Sequence, residues 1–199
     1  MSLFPSAYFP SIAYLKLLNE HPNAQLESCE NFVKQSIRNR CEILTANGKL
    51  KLVVPVKHNK NKKISTGQIQ IDYSTRWQQM HWRAIQSAYA HSPYFEAYDS
   101  EISECIFTKH DLLIEKNEAI LTLLCCLLDL SFKINHTKTY LSESKNDYRM
   151  HDFLSPLKET KVYQQVFSYE KPFQANLSTL DVLFNEGPFA RNWMLKDRK

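Results

Sequence analysis

Residues 32–56, FVKQSIRNRCEILTANGKLKLVVPV, join the densest run of cationic and amide side chains to the clearest turn signal in the chain. Asn47-Gly48 between two apolar runs predicts a hairpin closed by a two-residue type I′ turn. Closing that turn pairs Ala46 with Lys49, Ile43 with Leu52 and Cys41 with Val54. Side chains alternate along a strand, so Cys41, Ile43, Thr45, Leu50, Leu52 and Val54 share one face, which reads as core. Arg40, Glu42, Leu44, Lys49, Lys51 and Val53 share the other. If the extended conformation continues backwards, Lys34, Ser36, Arg38 and Arg40 fall on the second face as a row of donors suited to an anion. If residues 32–39 form a helical turn, Lys34 and Arg38 stay neighbours at i and i+4 while Arg40 points elsewhere. In both arrangements this is the candidate site.

The bulk numbers set bounds on what surrounds it. At 199 residues and 43% hydrophobic content the chain is expected to form a single domain, residues 1–199, with one sizeable core. Lys+Arg of 25 against Asp+Glu of 21 leaves +4, too mild an excess to indicate nucleic acid. The most basic run, residues 57–63 (KHNKNKK), lacks interleaved aromatics and reads as a solvated loop. Five cysteines with no repeated C-x-x-C point to reduced, buried thiols and a cytoplasmic location. The first residues, MSLFPSAYFPSIAYLKLL, are broken by Pro5 and Pro10 and do not read as a signal peptide. The longest apolar stretch, residues 120–130, is about half the roughly 20 residues of a membrane span. With glycine only at positions 48, 67 and 187, the two common glycine-rich phosphate cradles are excluded. The histidines are scattered without metal-ligand spacing, so neither a metal nor a cofactor is expected.

Working outward, a short extended segment over residues 2–9 precedes a helix opened near Pro10, and residues 25–29 read as a strand. Phe4, Tyr8, Phe9 and Tyr14 crowd this region and read as core. Beyond the basic run, residues 64–73 (ISTGQIQIDY) alternate as a strand, and Ser74 or Thr75 caps a helix through residues 77–91. His81 and Trp82 sit at the edge of that helix's packed face. Ser92-Pro93 opens a helix over residues 94–107, residues 111–130 form a buried helix, and residues 134–140 form one more strand. Polar residues 142–152 read as a loop whose Arg149, His151 and Asp152 could close over a ligand. Ser178 and Asp181 have capping-box spacing ahead of a last helix that stops at Gly187-Pro188. The fold class is α/β (α+β), a mixed or antiparallel sheet that contains the Asn-Gly hairpin and is packed by several helices.

Five segments, PSAYFPSIAYLKLL, ENFVKQSIRNRCEI, NGKLKLVVPV, IQIDYSTRWQQMHWRAIQSAYAHSPYFEAY and NLSTLDVLFNEGP, cover most of the chain in one order. Together they resemble the WbqC-like family of bacterial proteins, with the run Lys34-Gln35-Ser36-Ile37-Arg38-Asn39-Arg40-Cys41 the most specific match. The chain is similar to a short form of that family, without the extended C-terminal region some members carry. Some members are encoded among enzymes of O-antigen or other surface-polysaccharide synthesis, so the resemblance implies a role there by context. One hypothesis is a transferase acting on a sugar precursor or its acyl or aminoacyl donor. Lys34, Arg38 and Arg40 would grip the anionic group of a nucleotide-sugar or phosphorylated precursor, because guanidinium binds phosphate and carboxylate bidentately. His81 would be the general base, and Gln35, Asn39 and Tyr89 would orient the substrate. The alternative is a non-catalytic binding or scaffold protein for a nucleotide-sugar, a phosphorylated carrier or a partner enzyme.

Overall fold

The structure, a computed structural model, describes residues 2–57, 63–131, 133–155 and 161–195. Residues 58–62, most of the basic run, lie outside the described residues. Strands and helices alternate without a dominant sheet: β1 (Ser2–Phe4), α1 (Ile12–Asn19), β2 (Ala24–Leu26), β3 (Arg40–Thr45), β4 (Gly48–Val53), β5 (Val56–Lys57), β6 (Gln70–Ile71), α2 (Trp77–Tyr89), α3 (Phe95–Phe107), α4 (Leu113–Leu127), β7 (Asn146–Asp147) and α5 (Thr179–Glu186). The class is the expected mixture of α and β, but the strands fall into three small sheets: a parallel β2-β1-β7, the hairpin β3-β4, and an antiparallel β5-β6. The 64–73 segment therefore does not extend the hairpin. Only its end, Gln70–Ile71, is strand, after a short 3-10 turn at Thr66–Gln68.

The hairpin forms with a shifted register. Cys41 pairs with Leu52, Ile43 with Leu50 and Thr45 with Gly48. The loop is the two residues Ala46-Asn47, neither of which takes a positive φ, while Gly48, already in β4, takes φ +104°, so the turn is not type I′. The dipeptide thus located the hairpin, but the turn lies one residue earlier than expected. The shift moves each partner by two positions, so the faces survive. Replacing Gly48 by Ala is expected to lower stability by about 1 kcal/mol, read from urea midpoints, because a Cβ resists that positive φ although nothing lies within 4 Å of it. β3 is buried on both faces, Leu44 as well as Ile43, because α2 and α5 both pack on it. β4 is the outer strand.

One apolar cluster draws on every helix. Phe4, Tyr8, Phe9 and Tyr14 all lie in it, fully buried. Ser11 caps α1 by accepting the Tyr14 amide, and α2 presents Trp77, His81, Ile85 and Ala88 at one-turn spacing. α4 buries Lys116, whose ammonium donates to the Cys105, Ile106 and Thr108 carbonyls at the end of α3 at 2.5, 3.0 and 2.7 Å. Burial brings its pKa down to about 8, which still leaves the three protons those carbonyls need at neutral pH.

Two expected elements differ. Residues 134–140 make only a bridge between His136 and Leu26, since the segment has no alternating apolar face. The polar 142–152 stretch is not a free loop, because β7 within it pairs with β1 and the Tyr148 amide donates to Leu3 O at 2.9 Å. Ser178 caps α5 as expected, by accepting the Leu180 amide. Asp181 is turned inward and does not reach back to close a capping box. Its carboxylate accepts from Tyr89 Oη at 3.0 Å, Tyr163 Oη at 2.6 Å and Gln165 Nε2 at 2.8 Å.

Candidate functional site

The segment from Glu30 to β3 is neither strand nor helix; it is a chain of tight turns with Gln35 at φ +57°. Its backbone is tied down on every side. Ser36 Oγ donates to Val33 O at 2.7 Å, the Tyr8 amide to Ile37 O at 2.9 Å, and Asn117 Nδ2, from α4, to Arg38 O at 2.8 Å. Asn39 is buried and its amide donates to Val54 O at 3.0 Å, which fastens the turns to the hairpin.

This geometry separates the three cations. Lys34 is exposed on a turn, and Arg40 is half-buried at the start of β3. Arg38 is only 2% exposed, and its guanidinium lies on Glu30, with Nε to Oε1 at 2.8 Å and Nη2 against the same oxygen. Ser36 Oγ and Arg149 O accept from its two terminal nitrogens at 3.3 Å each. Burial pushes the Glu30 carboxyl up while the Arg38 charge pulls it down. Arg38 is thus largely committed to holding the turns, and no continuous row of donors exists.

What the turns build instead is one wall of a cleft of about 230 Å³, whose other wall is residues 149–154. Gln35, Ser36 and Arg38 face Arg149, His151 and Asp152 across it. Arg149 is held rigidly: Nε donates to both Asp147 oxygens at 2.9 and 3.0 Å, Nη1 to Leu141 O at 2.8 Å, and fully buried Glu27 lies 3.7 Å away. The hydrogen-bonded Asp147 carboxylate raises the Arg149 pKa further and is itself held below its ordinary range. Asp152 accepts the Leu154 amide at 3.1 Å and the Ser155 hydroxyl, which keeps it ionised beside His151.

A narrow groove adjoins the cleft, sharing Ile37 and Leu154 with it, and is lined by Tyr8, Arg40, Glu42 and Ser178. Here Arg40 Nε is buried and has no hydrogen-bond partner among the described residues. Glu42, its nearest acidic neighbour in sequence, sits 3.7 Å from both Lys49 Nζ and Lys51 Nζ. A buried guanidinium donor left unpaired is uncommon and calls for a partner.

The remaining predicted site residues lie elsewhere. His81 is 5% exposed and lines a separate apolar groove with Trp77 and Val53. Its Nδ1 is 2.9 Å from Tyr8 Oη, and its ring also interacts with the Val53 backbone. Burial lowers its pKa to about 4, so the ring is neutral at physiological pH. Tyr89 is buried between α2, β3 and α5, donating to Asp181 and accepting the Leu44 amide at 3.3 Å. Thus Gln35, Arg38 and, by the adjoining groove, Arg40 come together, while His81 and Tyr89 do not join them. Glu30 carried no sequence signal, since it lies outside every periodic segment, and Glu27 lay within the expected 25–29 strand with nothing to mark it as a buried partner of Arg149. His151 and Asp152 stood in the sequence, with Arg149, as residues of a polar loop that could close over a ligand, and all three line the cleft.

The fold and the cleft define a mixed α/β protein with a walled, arginine-bearing pocket built on turns. The profile of the WbqC-like protein family matches residues 6–164 of the 199, and the chain belongs to that family. The match takes in both walls of the cleft and stops before α5. No curated protein and no solved structure matches the chain. Among the described residues no helix is long and apolar enough to cross a membrane, and no three His, Cys, Asp or Glu side chains group as a metal site.

Proposed function

We propose that the chain is a transferase-like enzyme acting on a sugar precursor, or on its acyl or aminoacyl donor, in surface-polysaccharide biosynthesis. The cleft between the 33–38 turns and residues 149–154 seats the substrate, and Arg40 holds the anionic group of a nucleotide-sugar or phosphorylated precursor. The observation that carries this is the buried Arg40 Nε, unpaired among the described residues, in a narrow groove that shares Ile37 and Leu154 with the cleft. Arg38 and Arg149 contribute positive potential there but few free donors, because both already rest on carboxylates. Lys34, one residue before Gln35 and exposed, adds a charge for the outer end of such a ligand in this reading. His151 takes the acid–base role in this mechanism. The acceptor's hydroxyl or amine gives its proton to the His151 ring while it bonds the donor's electrophilic carbon, and the departing anionic group stays on Arg40. His81 is disfavoured for that step because its ring nitrogens are engaged by Tyr8 and the Val53 backbone.

Thermal-shift screening against nucleotide-sugars, acyl donors and inorganic phosphate tests the binding half. A ligand at a hundred times its Kd stabilises the folded chain by about 2.7 kcal/mol. Arg40→Ala should weaken that ligand roughly 10- to 100-fold, since it removes a charge-assisted contact. Equal shifts for the native chain and the variant would overturn the assignment of Arg40. The non-catalytic alternative, a holder of a nucleotide-sugar or phosphorylated carrier, is favoured by the commitment of Arg38 and Arg149 to internal carboxylates. His151→Ala distinguishes the two, because it abolishes turnover while preserving binding only if the protein is an enzyme.

A further inference from the structure

A second groove, independent of the cleft, runs along the outer edge of β4. In β3 the odd-numbered residues face β4, as the Val54 amide donating to Asn39 O at 2.8 Å continues. The even-numbered ones face away: the Leu44 amide meets the Tyr89 hydroxyl, and Glu42 O accepts from the Ser178 amide at 2.8 Å. Since Lys49 pairs with Leu44 and Lys51 with Glu42, the N–H and C=O groups of both lysines point outward from the hairpin. Among the described residues no further strand pairs with that edge. An open strand edge is ordinarily covered or blunted. This one borders a groove of about 380 Å³ whose opposite wall is α2, with Trp77, Met80 and Ala84. Leu50 and Val53 are each 40% exposed there and Met80 66%.

We propose that this edge binds an extended acidic peptide of a partner protein as an added strand. The peptide backbone pairs with Lys49 and Lys51, its apolar side chains enter between β4 and α2, and its carboxylates, on the alternate face, meet the two lysines. Alternation at period 2 satisfies both demands at once. Charge selects the occupant. Lys49 and Lys51 share the single carboxylate of Glu42, so that face carries an excess positive charge. A second copy pairing antiparallel through β4 would set lysines against lysines, which is destabilising. A lipid chain would fill the groove but leave the strand's N–H and C=O groups without partners.

The test is to pan a phage-displayed library of random nonapeptides on the purified full chain and to measure the selected peptides by fluorescence polarisation. Peptides that alternate apolar and acidic residues are expected. Lys51→Pro removes an outward N–H without breaking a hairpin bond, and Lys51→Glu reverses the charge while keeping that N–H. Each should weaken binding about tenfold or more, whereas Lys145→Glu, an exposed lysine outside the groove, should leave it unchanged. Circular dichroism checks that each variant is folded, and Met80→Glu, on the helical wall, supplies a second block that leaves β4 intact. The proposal is overturned if no peptide is enriched, if the enriched peptides bind all variants alike, or if sedimentation shows a dimer that Lys51→Glu abolishes.

Discussion

Glu30→Ala is expected to lower the unfolding free energy by about 3–5 kcal/mol, measured by urea denaturation, because it leaves the Arg38 guanidinium buried and without its counter-charge. Among the described residues Arg38 is one of the largest fully buried side chains, and Glu30 is the only carboxylate bonded to it. The remaining acceptors, Ser36 Oγ and Arg149 O, are neutral and stand at 3.3 Å. Removing both members tests the cause. Arg38→Met combined with Glu30→Leu should recover most of the loss, since replacing a buried ion pair by apolar groups of similar size is often near neutral. A single variant within 1 kcal/mol of the native chain, or a double variant no better than the single, would show that the pair does not hold the turns. Because these turns are one wall of the cleft, the single variant should also lose ligand-induced stabilisation.

The second large effect is at Asp181. Its carboxylate receives the hydroxyls of Tyr89 and Tyr163 and the amide of Gln165, all buried. Asp181→Ala strands three donors from two segments, at about 1–3 kcal/mol each and less than additively, for an expected loss of about 3–4 kcal/mol. The pH dependence has a definite sign. Burial pushes the Asp181 carboxyl above its ordinary value near 3.8, and the three donors only partly oppose this. The folded state therefore holds the proton more tightly than the unfolded state does. The stability this contributes is full below the unfolded value and is lost as pH rises through the folded one. Asp181→Asn has no such titration. The native chain should thus lose stability relative to the Asn variant as pH is raised from 3.5, and a native stability that instead rises relative to the variant would reject the assigned burial effect. Asp147 and Asp152, whose pKa values are lowered, act with the opposite sign but equally in both proteins, and cancel in the comparison.

The two large effects bear on what the sequence disclosed. Periodicity made the hairpin faces, α2, α3, α4 and α5 legible, because burial of one face leaves a repeat of 2 or 3.6 in the residues. It could not reveal the parallel sheet. Its strands are two or three residues long, and β7, Asn-Asp, is a polar edge with no apolar signature. The turns that carry the cationic run form one wall of the cleft. Its chemistry was legible only in part: whether Arg38 faces solvent or Glu30 depends on a fold-back of eight residues through irregular backbone, for which no local rule exists. Asp181 shows the same limit. At capping-box spacing its side chain had a local use, and three distant donors, two of them phenols, outcompeted it. His81 stood on a packed helix face, and from that face alone the identity of the neighbour, Tyr8 rather than an arginine, was beyond inference.

The central position of β1 also sets a timetable for folding. Leu3 pairs with Gln25 on one side and with Asp147 on the other. The second closure spans about 140 residues, a long loop in entropic terms and a contact that raises the average sequence separation on which folding rate depends. At about 5–20 residues per second, β1 emerges from a ribosome roughly 7–30 s before its β7 partner is made. During that interval Phe4 and the apolar residues after it have no complete sheet to bury them. Arg149, two residues beyond β7, arrives later still, so the cleft is incomplete until three quarters of the chain has been made. Ribosome-bound chains arrested before residue 147 should therefore be protease-sensitive at residues 2–9, and released full-length chains protected.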